Sequence, residues 1–501
     1  MDIDQVHFSV SPGRYAFSRL MMMRSLLLAV LFLNCISGSR GQVSGKAKNQ
    51  LYNIVLFIAD DLGVNDIGPY GNKIVRTPNL NQFASESLLF NRAFASSPTC
   101  TPSRSTIFTG LMPMRHGAHG NHSGVAAETK SLVQYLNPLG YRVTIAGKYH
   151  VGPETVFSFE RILKTNVPEP GHEKNPGLNY DLSFDPIDNW LSQQQADKPF
   201  MLVVADHSPH VVWPEKATYD PDKVDIPSKH IDTKETRISR SRYYTDITKM
   251  DSNLGKLLSS LKKNHLAENT IVIFIADQGP QWPFAKWSLY DDGVRTPLMV
   301  RWPGIVKPGK QTAAMVSLAD LVPTIVEAAG GTAPENIDGE SFLEVLKGNK
   351  DEHRKYVFAS HTGDRLMNRS PARMLRTGQY KYILNIAPQI LYTTHMDLAK
   401  VHDGGREYWD SWRKKSFADE HAASVLWRYH NRPKEELYDI LNDPDEIHNL
   451  AGDMKYGKVM EDYRAEMTKW RSQQNDTITG PEVIKDEPAK KGAKPVAPYV
   501  F

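Results

Sequence analysis

Cysteine is nearly absent: the 501-residue chain has two, Cys35 and Cys100. Cys35 lies in a segment expected to be removed on export, so the mature chain keeps one thiol and cannot form an internal disulfide. A lone thiol in an exported chain is either an inert buried residue or a chemically special one. Net charge is scarce as well. Sixty basic residues against 57 acidic ones leave +3, which gives no argument for nucleic acid or an anionic membrane surface as partner. Apolar runs of membrane-spanning length are missing; the run from Ser25 to Leu33 is too short. What remains is ordinary globular composition, 40% hydrophobic and 23% charged. The length predicts one large domain and a smaller one.

Arg24, the apolar run to Leu33 and the small residues Ser37, Gly38, Ser39 and Gly41 follow the order of a secretory signal. The alternative is a buried N-terminal helix. The signal reading predicts an exported protein, periplasmic or secreted. The expected division is a signal peptide and N-terminal extension over 1–41, a catalytic domain over 42–350, a small α+β domain over 351–480 and a flexible Lys-, Pro- and Ala-rich tail over 481–501.

Between Leu51 and about Gly330, apolar runs alternate with helical stretches. Tyr52–Ala59, Tyr141–Ala146, Pro199–Ala205 and Thr270–Ala276 read as strands buried on both faces. Helices are expected over 77–87, 103–109, 131–139 and 243–264, and near the C-terminus over 455–473. This predicts a doubly wound α/β sheet. Each of the four runs ends in polar, chemically capable residues: Asp60-Asp61, Gly147-Lys148-Tyr149-His150, Asp206-His207-Ser208-Pro209-His210 and Asp277-Gln278-Gly279. Parallel α/β sheets bind ligands at the carboxyl ends of their strands. If the four strands are neighbours, the four clusters meet.

Asp60, Asp61, Asp277 and the Gln278 carbonyl form a hard-oxygen set suited to calcium or magnesium. Without a cation, such acids raise one another's pKa. The bland alternative is helix capping by Asp61 and a surface turn at Asp277. Cys100, in Ser96-Ser-Pro-Thr-Cys-Thr-Pro-Ser-Arg-Ser-Thr-Ile-Phe-Thr-Gly110, precedes Pro102, which suits a first helical turn. On these residues alone it is an activated thiol, part of an anion pocket, or a buried structural cysteine, with Arg104 one turn onward.

These segments resemble the sulfatase family of the alkaline-phosphatase superfamily. Cys100-Thr-Pro-Ser-Arg104 matches the family's Cys-x-Pro-Ser-Arg signature, and Thr109-Gly110 its downstream part. Asp60-Asp61 matches its first metal pair and Gly147-Lys-Tyr-His150 its Gly-Lys-x-His segment. His210 falls where the family has another active-site histidine, and Lys286 where it has a second sulfate-binding basic residue. Glu436-Leu-Tyr-Asp439, Asp443-Pro-Asp-Glu446 and Asn449-Leu-Ala451 are similar to its C-terminal signature. The resemblance implies an alkaline-phosphatase-like mixed sheet, Cys100 oxidised to formylglycine by a maturation enzyme, and one Ca²⁺ held by Asp60, Asp61, residue 100, Asp277 and Gln278. It implies a sulfated saccharide as substrate. Lys148, Lys286 and Arg104 are expected to stabilise sulfuryl charge, and His150 to take a proton. A protonated His210 is expected to act as leaving-group acid, with His207 the weaker alternative; His116, His119 and His122 are expected at the substrate mouth. The run Gly147–Phe157 is similar to the heparan N-sulfatase branch, although Gln278 stands where that branch suggests asparagine and Lys286 where it suggests arginine. A phosphodiesterase or phosphonate hydrolase of the same superfamily, and a non-catalytic binder of sulfated glycans, are the competing readings.

Overall fold

The computed structural model describes residues 51–482, apart from Asn175, Ala196 and 399–404 and the side chain of Glu407. The expected signal segment, with Cys35, and nearly all of the expected tail lie outside the described residues. In chain order the strands are β1 (Asn53–Ala59), β2 (Leu88–Phe94), β3 (Arg142–Gly147), β4 (Glu160–Arg161), β5 (Asn166–Pro168), β6 (Tyr180–Leu182), β7 (Phe200–Ala205), β8 (Thr270–Ala276), β9 (Arg295–Arg301), β10 (Lys310–Ser317), β11 (Val357–His361), β12 (Ala372–Arg376), β13 (Tyr380–Asn385) and β14 (Glu435–Asp439).

Eight of them form one mixed sheet in the order β10-β2-β9-β8-β1-β7-β3-β4. The run from β8 through β1 and β7 to β3 is parallel, and β9 is antiparallel to both β8 and β2. The four expected strands are therefore consecutive neighbours. Alternation sends Val55, Phe57, Val204 and Phe274 to one core and Ile54, Leu56, Val203 and Ile275 to the other. Two covered faces explain why these segments read as unbroken apolar runs.

The Cys100–Thr109 helix contributes Ile107 and Phe108 to the second core; the long Lys234–Lys263 helix contributes Tyr243, Ile247 and Leu254 to the first. That helix starts well before the expected 243. Its opening turns bury polar Thr236, Ser239 and Arg240, the last paired with Asp66 at 3.0 Å, so the apolar period begins late. β2, β9 and β10 were not expected. Asn91 and Arg92 interrupt β2, and Pro297 sits inside β9.

A second, antiparallel sheet, β11-β12-β13-β14, packs Leu375, Tyr382 and Leu437 against Met460, Met467 and Trp470 of the Gly457–Gln473 helix. Buried Lys381 of β13 donates to the Leu289 carbonyl (3.0 Å) and pairs with Asp291 (2.5 Å) and Glu446 (2.8 Å). The C-terminal signature thus ties the second sheet to the loop that carries Lys286.

Candidate active site

Because β8, β1, β7 and β3 run parallel side by side, their carboxyl ends share one edge. Ala59 pairs with Ala276 and Gly147 with Ala205. Backbone bonds continue past the strand ends: the Asp60 N–H donates to Ser208 O (3.2 Å), Asp277 N–H to Ala59 O (3.2 Å) and Lys148 N–H to Ala205 O (2.8 Å). Gly147 is left-handed at φ 84°, and a Cβ there would lie 2.0 Å from the Ala205 carbonyl oxygen. Only glycine lets β3 approach β7 this closely while the chain turns to deliver Lys148. Asp61, at φ 61°, takes the same left-handed turn beyond β1.

Cys100 opens its helix, after Thr99, and is 1% exposed. Its Sγ lies 3.9 Å from Oδ1 of both Asp60 and Asp61, 3.8 Å from Lys148 Nζ and 3.2 Å from Gln278 Nε2. Burial pushes the thiol up to about 12 against the pull of Lys148 and Lys286. In the absence of a cation the unmodified thiol is therefore protonated at neutral pH.

The neighbouring charges interlock. Arg104 is fully buried; its Nε donates to Asp277 Oδ2 at 2.8 Å, and its Nη2 lies 3.2 Å from Asp60 Oδ1, an ion pair without hydrogen-bond alignment. Lys148 Nζ pairs with Asp60 Oδ2, and Lys286 Nζ with Asp61 Oδ2 at 2.6 Å. Burial would raise Asp60, but Lys148 and Arg104 prevail and hold it well below the carboxylate range. Burial pushes Asp277 up to about 7; Arg104 opposes the rise, and Asp60 and Asp61 reinforce it. Arg104 is committed to two carboxylates, so its guanidinium shapes the acid cradle rather than facing a sulfuryl group.

These residues fit a divalent cation. Three carboxylates no more than 1% exposed converge on residue 100, and ligand atoms of Asp60, Cys100 and Asp277 lie within 4.8 Å of one another, as do those of Asp61, Cys100 and His210. Gln278 Oε1 is buried without a hydrogen-bond partner, while its Nε2 contacts Asp61 Oδ1. Exchanging the two ends of that amide turns an oxygen toward the acids. Hard oxygen donors around an electrostatically strained carboxylate are a calcium-type set.

His150, at φ 48°, packs against His122 with ring centroids 5.0 Å apart and the rings tilted. Burial, reinforced by Lys148, holds it well below its ordinary value, so it is a neutral imidazole. His210 donates from Nδ1 to the Val211 carbonyl and turns Nε2 to Lys286 Nζ at 3.3 Å and Asp61 Oδ2 at 3.6 Å. Burial, then Lys286 and Lys148, lower it too. The expected protonated His210 is therefore not the resting state; Lys286 is the ammonium from which it can draw a proton. His207 bonds Asn166 (2.8 Å) and stacks on Tyr180. His116 is not at the mouth. It is fully buried, 3.3 Å from the Pro102 carbonyl, bracing the signature helix. His119 does not reach the cavity either.

Above Cys100 opens a cavity of about 340 Å³ lined by Lys148, His150, His207, His210 and Lys286, and also by His122, Asp364 and His395. Among the described residues no helix is long and apolar enough to cross a membrane.

Residues 52–331 match the model of the Sulfatase family. The chain belongs to the sulfatase family. A second model, N-sulphoglucosamine sulphohydrolase, C-terminal, matches residues 280–404. The sulfatase is 31% identical to an ulvan-active sulfatase of Formosa agariphila, over 91% of each chain. It is 29% identical to human N-sulphoglucosamine sulphohydrolase, over 91% of this chain and 97% of that one. Its fold is similar to that of a protein solved in complex with its substrate D-glucosamine-2-N,6-O-disulfate (TM-score 0.65, 19% identity, 86% and 99% coverage). It is also similar to that of a phosphonate monoester hydrolase of Agrobacterium radiobacter (TM-score 0.64, 18% identity, 87% and 100% coverage). The sulfatase is a hydrolase of sulfate esters or sulfamates.

All ten sequence-derived site residues of the sulfatase gather on one floor. Sequence reasoning missed Asn121, whose Oδ1 accepts the Thr101 N–H at 3.2 Å, and the Asp364, Arg365 and His395 wall. Asn121 lies beside the flagged His122, a signal that was available. Asp364 and His395 come from the second sheet's loops, with no motif to mark them.

Proposed function

We propose that this sulfatase is exported and removes sulfate from a sulfated glycan, with N-sulfoglucosamine its preferred residue, through formylglycine made from Cys100 by a maturation enzyme, beside one Ca²⁺. The observation that carries the reading is the convergence of Asp60, Asp61, Asp277 and Gln278 on residue 100 beneath a cavity lined by two lysines and five histidines. The choice of an N-sulfated sugar leans on the Gly147–Phe157 run and on the C-terminal match.

A hydrated aldehyde at position 100, beside a cation that Asp60, Asp61, Asp277 and Gln278 would hold, would supply a nucleophilic hydroxyl and a second, ionisable hydroxyl. Lys148 and Lys286 are placed to neutralise sulfuryl oxygens. Arg104 holds Asp60 and Asp277 apart and aimed. Neutral His150 can accept a proton at its unpartnered Nδ1. His210 Nε2, fed by Lys286, can pass one to the departing sugar nitrogen or oxygen. The deciding experiment is turnover of the matured enzyme on N- and O-sulfated saccharides beside phosphonate monoesters. Faster phosphonate turnover would transfer the assignment to the rival hydrolase class.

Two expectations follow. Chelation should remove activity, and Asp60→Asn should weaken calcium binding by more than the roughly 10- to 100-fold typical of outer-shell changes, whereas Gln278→Asn, which keeps the carbonyl, should cost about 10-fold or less. Full activity in chelator with no cation bound defeats the cradle. His210→Ala should slow sugar sulfates by about 100- to 10,000-fold but nitrophenyl sulfate far less, because a phenolate leaves without a proton. Equal losses pass the acid role to Lys286 or His207.

A further inference from the structure

The cavity lined by the two lysines also holds a carboxylate, Asp364, supplied by the second sheet. Asp364, 2% exposed, sits at the turn between β11 and β12 and lines the cavity. Its Oδ1 accepts from His122 Nδ1 at 2.9 Å. Its Oδ2 lies 3.7 Å from His395 Nε2, beyond hydrogen-bond reach, so that oxygen keeps acceptor capacity. The carboxylate is held firmly. The Asp364 N–H and carbonyl both pair with Met367, and the Asn121 N–H donates to the Gly363 carbonyl at 2.9 Å. His395 is oriented by the Asn368 amide, 2.8 Å from its Nδ1, and its ring packs 5.0 Å from Trp287.

We propose that Asp364, braced by His122 and His395, is the specificity-determining residue that accepts hydrogen bonds from hydroxyls of the sugar ring whose sulfate lies on the floor. The proposal rests on the sugar-sulfatase reading above and deepens it. A carboxylate is an acceptor only, and a pyranose edge offers paired hydroxyl donors. Burial alone would raise Asp364, but the His122 hydrogen bond prevails and holds it below its ordinary value, so it is ionised at neutral pH. The cavity, at about 340 Å³, is near the small end of ligand pockets. A sugar ring with its sulfate between Lys148 and Lys286 therefore meets this wall, whereas an aryl sulfate brings no hydroxyl to it.

The test compares matured wild type and Asp364→Asn on N-sulfoglucosamine, glucosamine 6-sulfate and 4-nitrophenyl sulfate. For the better sugar substrate, kcat/KM should fall by about 10- to 100-fold, mainly through KM, since the contact is made in ground state and transition state alike. Nitrophenyl sulfate should change by less than about 3-fold, and its turnover also reports that the variant folds. If Asp364→Asn does not fold, Asp364→Ser is read instead, with the same selective pattern expected. Unchanged sugar turnover, or equal losses on sugar and aryl substrates, overturns the proposal and reduces Asp364 to a structural brace. A wild type that cleaves neither sugar sulfate overturns the parent reading, and this proposal with it.

Discussion

Cys100→Ala is expected to lower turnover of every sulfate substrate by on the order of a million-fold, the usual cost of deleting a covalent nucleophile. The buried position explains why the loss should be chemical rather than structural. Cys100 is 1% exposed at a helix start, and alanine there removes one sulfur while leaving the helix backbone and the Thr101 N–H bond to Asn121 in place. Stability should change by about 1 kcal/mol. Mass spectrometry of the peptide spanning residue 100 should find an aldehyde in the native protein, because the thiol, at about 12, is a poor nucleophile at neutral pH. Activity surviving in the alanine variant sinks the mechanism. A native protein that keeps its thiol and still holds sulfated sugars without cleaving them favours the binder reading.

Arg104→Ala should be the most damaging substitution for the fold of the site. It removes the ion partner of Asp277 and leaves Asp60 with Lys148 alone, both carboxylates being no more than 1% exposed. Leaving a buried charge uncompensated costs about 3–5 kcal/mol. The variant should melt well below wild type, and added calcium should recover more of its melting temperature than it adds to wild type, since a cation replaces the missing charge. Arg104→Lys should fall between them, because one ammonium cannot reach both acids as the planar guanidinium does. An unaltered melting curve for Arg104→Ala contradicts this account of the cradle.

The floor of the site was legible in the sequence because strand ends advertise themselves. A buried parallel strand is an unbroken apolar run, and the first polar residues after it lie on the ligand edge. Asp60, Lys148, His210 and Asp277 could be read that way. The Cys100 helix was legible from Pro102 and the signature. Position did not disclose ionisation state: His210 looked like a ready acid, and only its burial beside Lys286 and Lys148 reveals a neutral ring. Nor did it separate His122 at the mouth from His116 beneath the helix. Asp364 and His395 were out of reach because they approach through long-range docking of the second sheet, in loops without periodicity. The outlying strands β2 and β10 and the acidic β14 escaped for a related reason: their apolar pattern is broken or short.

The depth of Cys100 also sets a clock. The proposed oxidation would need access to this side chain, and the finished fold holds it in a buried helix. The cover is completed by β8 and the Asp277 loop, to whose carbonyl Ser103 donates. That strand emerges about 180 residues after Cys100, which at ordinary synthesis rates of roughly 5–20 residues per second opens a window of about 10–35 seconds. On the proposed formylglycine reading, maturation would compete with folding, and conditions that hasten sheet closure should yield correctly folded protein that still carries a thiol.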